Sequence, residues 1–326
     1  MLGDTGLGDP ELALHDRADL AGRHLAVGQQ LDDAAADRVA QDVERMHGTT
    51  ISDCGYKGGR SVIVPAPPIQ LATWLTTGGA GRVGMFGPQH AAVYEVTYHS
   101  RGKSWQAEAT DVADRILAVR PGATRLLDVG CGTGAHLESF AGRFAHVEGV
   151  EFAPAMLDVA RRRLPGVPLH AGDMRDFRLG ITFDAVTCLF TAINFLRTVT
   201  EMRAAVATMA RHLAPGGVLV VEPWWFPERF IDGHLGGDLV REPDRVVTRI
   251  SRSTRQGRLT RMEERWLVGD AHGIREFTQV GLLAMFTRDE YLDAFAAAGC
   301  EGSYVTGWLT GRGLFVATRS GEPSSN

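Results

Sequence analysis

The chain has 326 residues, 44% of them apolar, and a formal charge of −5. This is the composition of a soluble globular protein of one large domain or two ordinary ones. No apolar run approaches the roughly 20 residues that span a bilayer, and no strongly basic stripe suits a nucleic acid, so neither membrane nor nucleic acid is an expected partner. Cys54, Cys131, Cys188 and Cys300 are scattered without CxxC or zinc spacing, and the N-terminus carries no signal-peptide pattern. A reduced, cytoplasmic, metal-free protein is therefore expected.

Residues 1–84 contain none of the 14 phenylalanines, and their only other aromatic residues are Tyr56 and Trp74. One amphipathic helix is expected, LDDAAADRVAQDVERM, with Leu31, Ala35, Val39, Val43 and Met46 along a stripe. Gly- and Pro-rich sequence follows it. The segment reads as an N-terminal extension, poorly ordered or loosely docked; the second reading is that translation starts at Met85.

From residue 104 helices and strands alternate. SWQAEATDVADRILAVR is an amphipathic helix, RLLDVG a buried strand and AHLESFAGRF a helix. HVEGVE is the next strand, followed by the helix PAMLDVARRRL with Pro154 in its first turn. VPLHAGD is a short strand and FDAVTCLF an almost wholly apolar one, as expected when both faces are covered. TVTEMRAAVATMARHL is a helix closed by Pro215-Gly216-Gly217, and GVLVVEP is the fifth strand. After Pro223 the rhythm changes. RVVTRISR, LTRMEERWLV and IREFTQVGLLAMF read as three antiparallel strands, with turns at Gln256-Gly257 and Gly269–Gly273. RDEYLDAFAAAGC returns to helix, and SYVTGW and GLFVATR complete the sheet. The expected fold is α/β: a doubly wound, mostly parallel seven-stranded sheet (Rossmann-like) over 85–320, with an antiparallel β insert at about 226–286 as a substrate lid. Residues 321–326 read as a flexible tail.

In RLLDVGCGTGAHLESF, Gly130, Gly132 and Gly134 let the backbone turn sharply from strand to helix and approach a ligand with no Cβ in the way. The spacing also fits a dinucleotide fingerprint. The surrounding acids point elsewhere. Asp128, just before the loop, repels a pyrophosphate and suits the ammonium of an amino acid. Glu151 ends the second strand, where a carboxylate accepts hydrogen bonds from both ribose hydroxyls. Asp173 and Met174 follow the third strand, placed to accept from an adenine amino group and to cover its ring. Ammonium, ribose and adenine in that order describe S-adenosylmethionine. Cys131 and Met156 are counted with the same cofactor set.

With these motifs the sequence resembles the class I S-adenosylmethionine-dependent methyltransferases. It also resembles one narrow branch of them, the dTDP-amino-deoxysugar N,N-dimethyltransferases of desosamine and mycaminose type. VYEVTYHSRGKSW (93–105), LLDVGCGTGAHL (126–137), HAGDMRDFRLG (170–180), AVTCLF (185–190), VLVVEPWWFPERF (218–230), TRISRSTRQGRLTRME (248–263) and GRGLFV (311–316) carry the likeness. EPWWFPE and GRGLF are far more restrictive than the glycine loop.

The resemblance implies an N-methyltransferase of antibiotic (macrolide-type) sugar biosynthesis acting on a nucleotide sugar. It implies that Trp224, Trp225, Phe226 and Glu228 wall the sugar-nucleotide pocket. It makes Tyr94, Arg249, Ser251 and Arg312 candidates for holding nucleotide and diphosphate, arginine supplying paired, charge-assisted bonds. Two positions depart from the family pattern: Ile193-Asn194-Phe195-Leu196 follows strand four in place of a loop with histidine or tyrosine, and Phe86 replaces a tyrosine. Apolar Phe86 and Phe195 suit an amine acceptor better than a hydroxyl, which needs a positioned base. Asn194 is the one polar group of that loop expected near the acceptor. A homodimer is an open expectation.

Overall fold

The computed structural model describes residues 86–321, which lie within the unit Ala72–Asn326. The expectations for 1–84, the candidate start at Met85 and the tail 322–326 fall outside the described residues. Two short helices, α1 (Pro88–Ala91) and α2 (Tyr94–Ser100), precede the alternating elements; they were not read from the sequence, because so few turns show little periodicity. α3 (Trp105–Val119) starts where the Ser104 hydroxyl accepts from Ala107 N, and it buries Ala109, Val112, Ala113 and Ile116 at helical spacing.

The strands β1 (Arg125–Val129), β2 (His146–Glu151), β3 (Leu169–Ala171), β4 (Phe183–Cys188) and β5 (Leu213–Val221) are joined through α4 (Ala135–Ala141), α5 (Pro154–Arg163) and α6 (Val199–Arg211). β5 begins at Leu213, so Pro215-Gly216-Gly217 lies inside the strand span and not in a separate helix stop. The helix ends at Arg211 all the same.

The insert holds four antiparallel strands where three were expected: β6 (His234–Arg241), β7 (Arg245–Gln256), β8 (Leu259–Asp270) and β9 (Gly273–Ala284). β6, sequence HLGGDLVR, was missed because two glycines hide its alternation; only its pairing with β7 reveals it. α7 (Arg288–Ala297) opens with a capping box of Thr287 and Glu290. β10 (Cys300–Val305) and β11 (Leu314–Arg319) close the main sheet. Its order is β10-β11-β5-β4-β1-β2-β3, with β11 antiparallel to β5 and β10 antiparallel to β11.

Apolar clusters cover both faces of this sheet. One is built on Leu127, Val129, Val186 and Val221 with α6 and α7; the other on Leu126, Ala185, Val218 and Val220 with α3 and α4. Each fully buried side chain of this size contributes about 1.5–3 kcal/mol by leaving water. β1 has β2 on one side and β4 on the other, so the chain crosses in opposite directions from it. Ligands of open parallel sheets bind at the carboxyl ends beside such a reversal. No described helix is long and apolar enough to cross a membrane.

Candidate active site

At that reversal a cavity opens. Asp128, Gly130, Cys131, Gly132, Glu151, Met156, Asp173 and Met174 line it, together with Phe86, Tyr94, Trp105, Phe190 and Phe195. Gly130, Gly132 and Gly134 have φ of +73°, +56° and +80°, a region that residues with a Cβ rarely enter. At Gly130 a Cβ would also sit 2.7 Å from that of Ala192. Gly134 is not in the lining. A Cβ there would press Leu164 and Ala160 of α5, so this glycine serves helix packing.

Glu151 bridges the loop. Its Oε2 accepts from Gly132 N at 2.9 Å and its Oε1 from Ala153 N at 2.7 Å. Burial raises its pKa against these backbone bonds. Asp128 is 2% exposed, accepts from Thr187 Oγ1 at 2.7 Å, and is pushed up to about 6 by burial. A buried carboxylate this costly to ionise suits a cationic ligand. Asp173 is gripped on both oxygens by Arg175, which fixes its carboxylate at the cavity wall. The acceptor set thus fits S-adenosylmethionine: an acid for the ammonium, a fixed carboxylate for the ribose, and Asp173 with Met174 for the adenine.

A second cavity adjoins the first, and both linings include Phe86, Tyr94, Phe190 and Phe195. Phe86 meets Phe195 edge-on at 5.2 Å, and Tyr94 meets Phe190 at 6.2 Å. The second cavity takes Trp224 and Trp225 from the segment after β5. The insert supplies Arg249, Ser251, Ser253, Met262 and Glu264, and the β10–β11 loop supplies Thr310 and Arg312. The insert is therefore a wall of this cavity, contributed by alternate residues of β7 and β8.

Three more of the expected site residues lie elsewhere. Asn194 is 1% exposed and lines neither cavity: its amide donates to Ala284 O at 2.8 Å and accepts from Trp224 N and the Tyr291 hydroxyl. It ties β9, the segment after β5 and α7 together, because a buried amide is held where all its bonds are made. Phe226 packs in the core on Tyr304 and Phe315, and Glu228 is exposed and off the cavity. Arg249 does line the cavity, but its charge is already matched. Its Nε donates to Asp238 at 2.7 Å and its Nη1 to Glu264 at 2.6 Å.

Residues not foreseen organise the wall between the cavities. Phe190 and Thr191 have φ of +47° and +64°, a left-handed pair without glycine that costs about 1–2 kcal/mol per residue. Glu222, fully buried, holds it: Oε2 accepts from Phe190 N at 2.6 Å, while Oε1 accepts from Thr310 Oγ1 and Arg312 Nη2. Lys103 Nζ lies 3.8 Å from the Phe190 ring centre and 4.2 Å from that of Trp105, paired with Glu108. Lys103 stands inside the motif at 93–105, and Glu222 opens EPWWFPE; both stretches were singled out, but their roles depend on contacts that only the fold makes.

The methyltransferase-domain family model matches residues 126–217. The chain is 50% identical over 233 residues to a dTDP-3-amino-3,4,6-trideoxy-alpha-D-glucopyranose N,N-dimethyltransferase of Streptomyces venezuelae, covering 71% of this chain and 98% of the relative. It is 47% identical over 236 residues to a dTDP-4-amino-2,3,4,6-tetradeoxy-D-glucose N,N-dimethyltransferase of Saccharopolyspora spinosa, covering 72% and 95%. The chain belongs to the S-adenosylmethionine-dependent sugar N-methyltransferases. Among solved structures, an S-adenosylmethionine-bound amino pentose methyltransferase from Micromonospora echinaspora, involved in calicheamicin biosynthesis, is 79% identical. That match has a TM-score of 0.66 and covers 70% of this chain and 97% of the other. The seven-stranded Rossmann-like sheet with its separate antiparallel sheet is the architecture of this family, and S-adenosylmethionine is the cofactor. When bound it supplies a methyl group on a sulfonium, a strongly activated leaving group. The residues of this chain then have one main task, to hold cofactor and acceptor in line.

Proposed function

We propose that the enzyme N-methylates the amine of a dTDP-linked aminodeoxysugar in the making of an antibiotic sugar. An amino pentose is the first candidate because of the 79% identity to the amino pentose enzyme. The observation that carries the amine is the boundary of the two cavities, whose four shared lining residues are all aromatic. Its one hydroxyl, on Tyr94, has its pKa raised by burial, as does the neighbouring Tyr98, pushed up to about 12. Neither is a phenolate base near neutral pH. A neutral amine brings its own lone pair and needs none, whereas a sugar hydroxyl does. The aromatic faces also favour a methylated, cationic product by cation–π attraction. The deciding experiment is mass spectrometry on a panel of dTDP-aminodeoxysugars and their hydroxyl counterparts. Methyl gain on the hydroxyl compounds alone would overturn the reading.

Arg312 is the diphosphate contact this reading favours. Its Nε is buried and has no hydrogen-bond partner among the described residues, and its guanidinium lies 5.6 Å from the ring centres of Phe190 and Trp224. Arg312→Lys keeps a cation against Glu222 but loses the planar fork. A lost charge-assisted bond costs about 1.5–3 kcal/mol, so KM for the nucleotide sugar should rise roughly ten- to a hundredfold. Cofactor affinity should stay as it is. Unchanged acceptor kinetics would remove Arg312 from the diphosphate site.

The enzyme is further proposed to be a homodimer joined through the insert. Leu235, Leu239, Ile250, Leu267 and Ile274 of β6–β9 are all exposed, from 48% to 82%. Exposed apolar side chains gathered on one sheet face, with Arg252 and Arg265 between them, suit an interface, and a self-complementary one joins two copies. Sedimentation at the monomer mass at micromolar concentration would refute it.

A further inference from the structure

Glu264 sits in mid-strand on β8, between Ser251 of β7 and Gln279 of β9. It is 1% exposed, yet it lines the acceptor cavity beside Ser251, Ser253 and Met262. Its two oxygens have different surroundings. Oε1 accepts from Arg249 Nη1 at 2.6 Å. Oε2 is buried and has no hydrogen-bond partner among the described residues. Burial raises the pKa of this carboxyl, against the pull of Arg249. An apolar residue at the same place would line the cavity at no such cost. Burying a carboxylate oxygen without a donor is unfavourable, so an oxygen in this state on a cavity wall is one that a bound donor would complete.

We propose that Glu264 Oε2 accepts a hydrogen bond from an O–H or N–H carried on the sugar ring of the acceptor, and so selects which sugars are methylated. The inference rests on the nucleotide-sugar reading above. A bare carboxylate oxygen repels the diphosphate, so the partner is a neutral or cationic donor. The place points to the sugar. Tyr98, on which the charge of Glu264 acts directly, meets Phe190 edge-on at 4.9 Å, and Phe190 lines both cavities. Glu264 thus stands one side chain behind the aromatic boundary of the two cavities, the place for the sugar of an acceptor that turns its amine toward the cofactor. Arg249, held by Asp238 as well as by Glu264, keeps Oε1 engaged and fixes the carboxylate. Ser251 and Ser253 add hydroxyls to the same wall, so the β7–β8 face is a polar template for a ring with several substituents.

Glu264→Gln preserves shape and can still accept from Arg249 through its carbonyl, but it lacks the charged second oxygen. Titration calorimetry of the full-length protein with dTDP, dTDP-glucose and a dTDP-aminodeoxysugar tests the assignment. The variant should bind dTDP and S-adenosylmethionine as the unaltered protein does and bind the sugar nucleotides about ten- to a hundredfold more weakly. Loss against both sugar nucleotides identifies a hydroxyl donor, and loss against the aminosugar alone identifies the amine; either supports the proposal. Equal weakening for dTDP, or none for any sugar nucleotide, overturns it. Should Glu264→Gln not fold, Glu264→Asp, which withdraws the oxygen by one methylene, is judged by the same comparison. If the unaltered protein binds dTDP sugars and methylates them while the variant matches it, only the role of Glu264 fails. If the unaltered protein binds no dTDP sugar, the nucleotide-sugar reading fails and this proposal with it.

Discussion

Replacing Glu222 with alanine should destabilise the fold by about 3 kcal/mol and lower kcat/KM at least about tenfold. Two losses combine. Arg312, whose side chain is 11% exposed, loses the carboxylate that neutralises it. Breaking a buried ion pair from one side typically costs about 3–5 kcal/mol, and the lower end applies because Arg312 lines an open cavity. The N–H of Phe190 also loses its acceptor, and with it the anchor of the left-handed Phe190–Thr191 pair. Released backbone relaxes toward ordinary φ values, which moves the Phe190 ring out of the wall shared by the cavities. At roughly 2–4 °C per kcal/mol for a domain of this size, Tm should fall by about 6–12 °C. Glu222→Gln, which retains a carbonyl for Phe190 N, should lose less on both counts. A calorimetric Tm within about 2 °C of the parent's for the alanine variant would show that Glu222 does not hold this wall.

Glu151→Ala should weaken S-adenosylmethionine binding by one to two orders of magnitude, roughly 1.4–2.8 kcal/mol at one decade per 1.4 kcal/mol. We assign this carboxylate to the ribose; it also ties Gly132 N and Ala153 N, so its removal loosens the glycine loop beside the cavity. Calorimetry on the folded variant measures the loss; an unchanged Kd would sink the cofactor assignment. The same titration carries a pH signature from Asp128. Burial raises its pKa in the free protein to about 6, so below that pH the cavity acid is mostly neutral. A cofactor ammonium pairs only with the carboxylate. Affinity should therefore fall as pH drops below about 6, approaching tenfold per unit, and level off above it. The effect on folding has the opposite sign. Because the folded-state pKa is raised, the stability that the neutral acid contributes is present at low pH and is lost as pH climbs through 6. Asp128→Asn should bind the cofactor weakly and flatten the affinity profile.

The first cavity was legible because its acids and most of its glycines lie at strand ends or in the loops after them. Strand ends can be found from apolar runs broken by acids and glycines: DVGCG, VEGVE and HAGDM each mark one. The acceptor side was less legible. Trp224, Trp225 and Arg312 stand in restrictive motifs and reach the cavity, whereas Phe226 and Glu228, in the same motif, do not. Neighbours along an irregular segment point in different directions, and no period says which way. Asn194 shows the limit most clearly. It was polar, next to Phe195 and in the right loop, yet its amide is used up by Ala284, Trp224 and Tyr291, partners far from it in sequence.

By itself the sequence determined the alternation of strands and helices, the left-handed glycine turn and the order of acids that matches S-adenosylmethionine. All of these follow from short-range patterns: burial sets the period of a strand or helix, and a missing Cβ sets the turn. Tertiary structure alone decided that the insert has a fourth strand and walls the second cavity. It alone brought Glu222 to Phe190 and Arg312, and left one oxygen of Glu264 without a donor among the described residues. Those arrangements join residues from separate elements. Whether a buried charge is neutralised, or a strained backbone held, depends on which distant group the packing brings within hydrogen-bond reach, and that distance is not written in any local stretch of the chain.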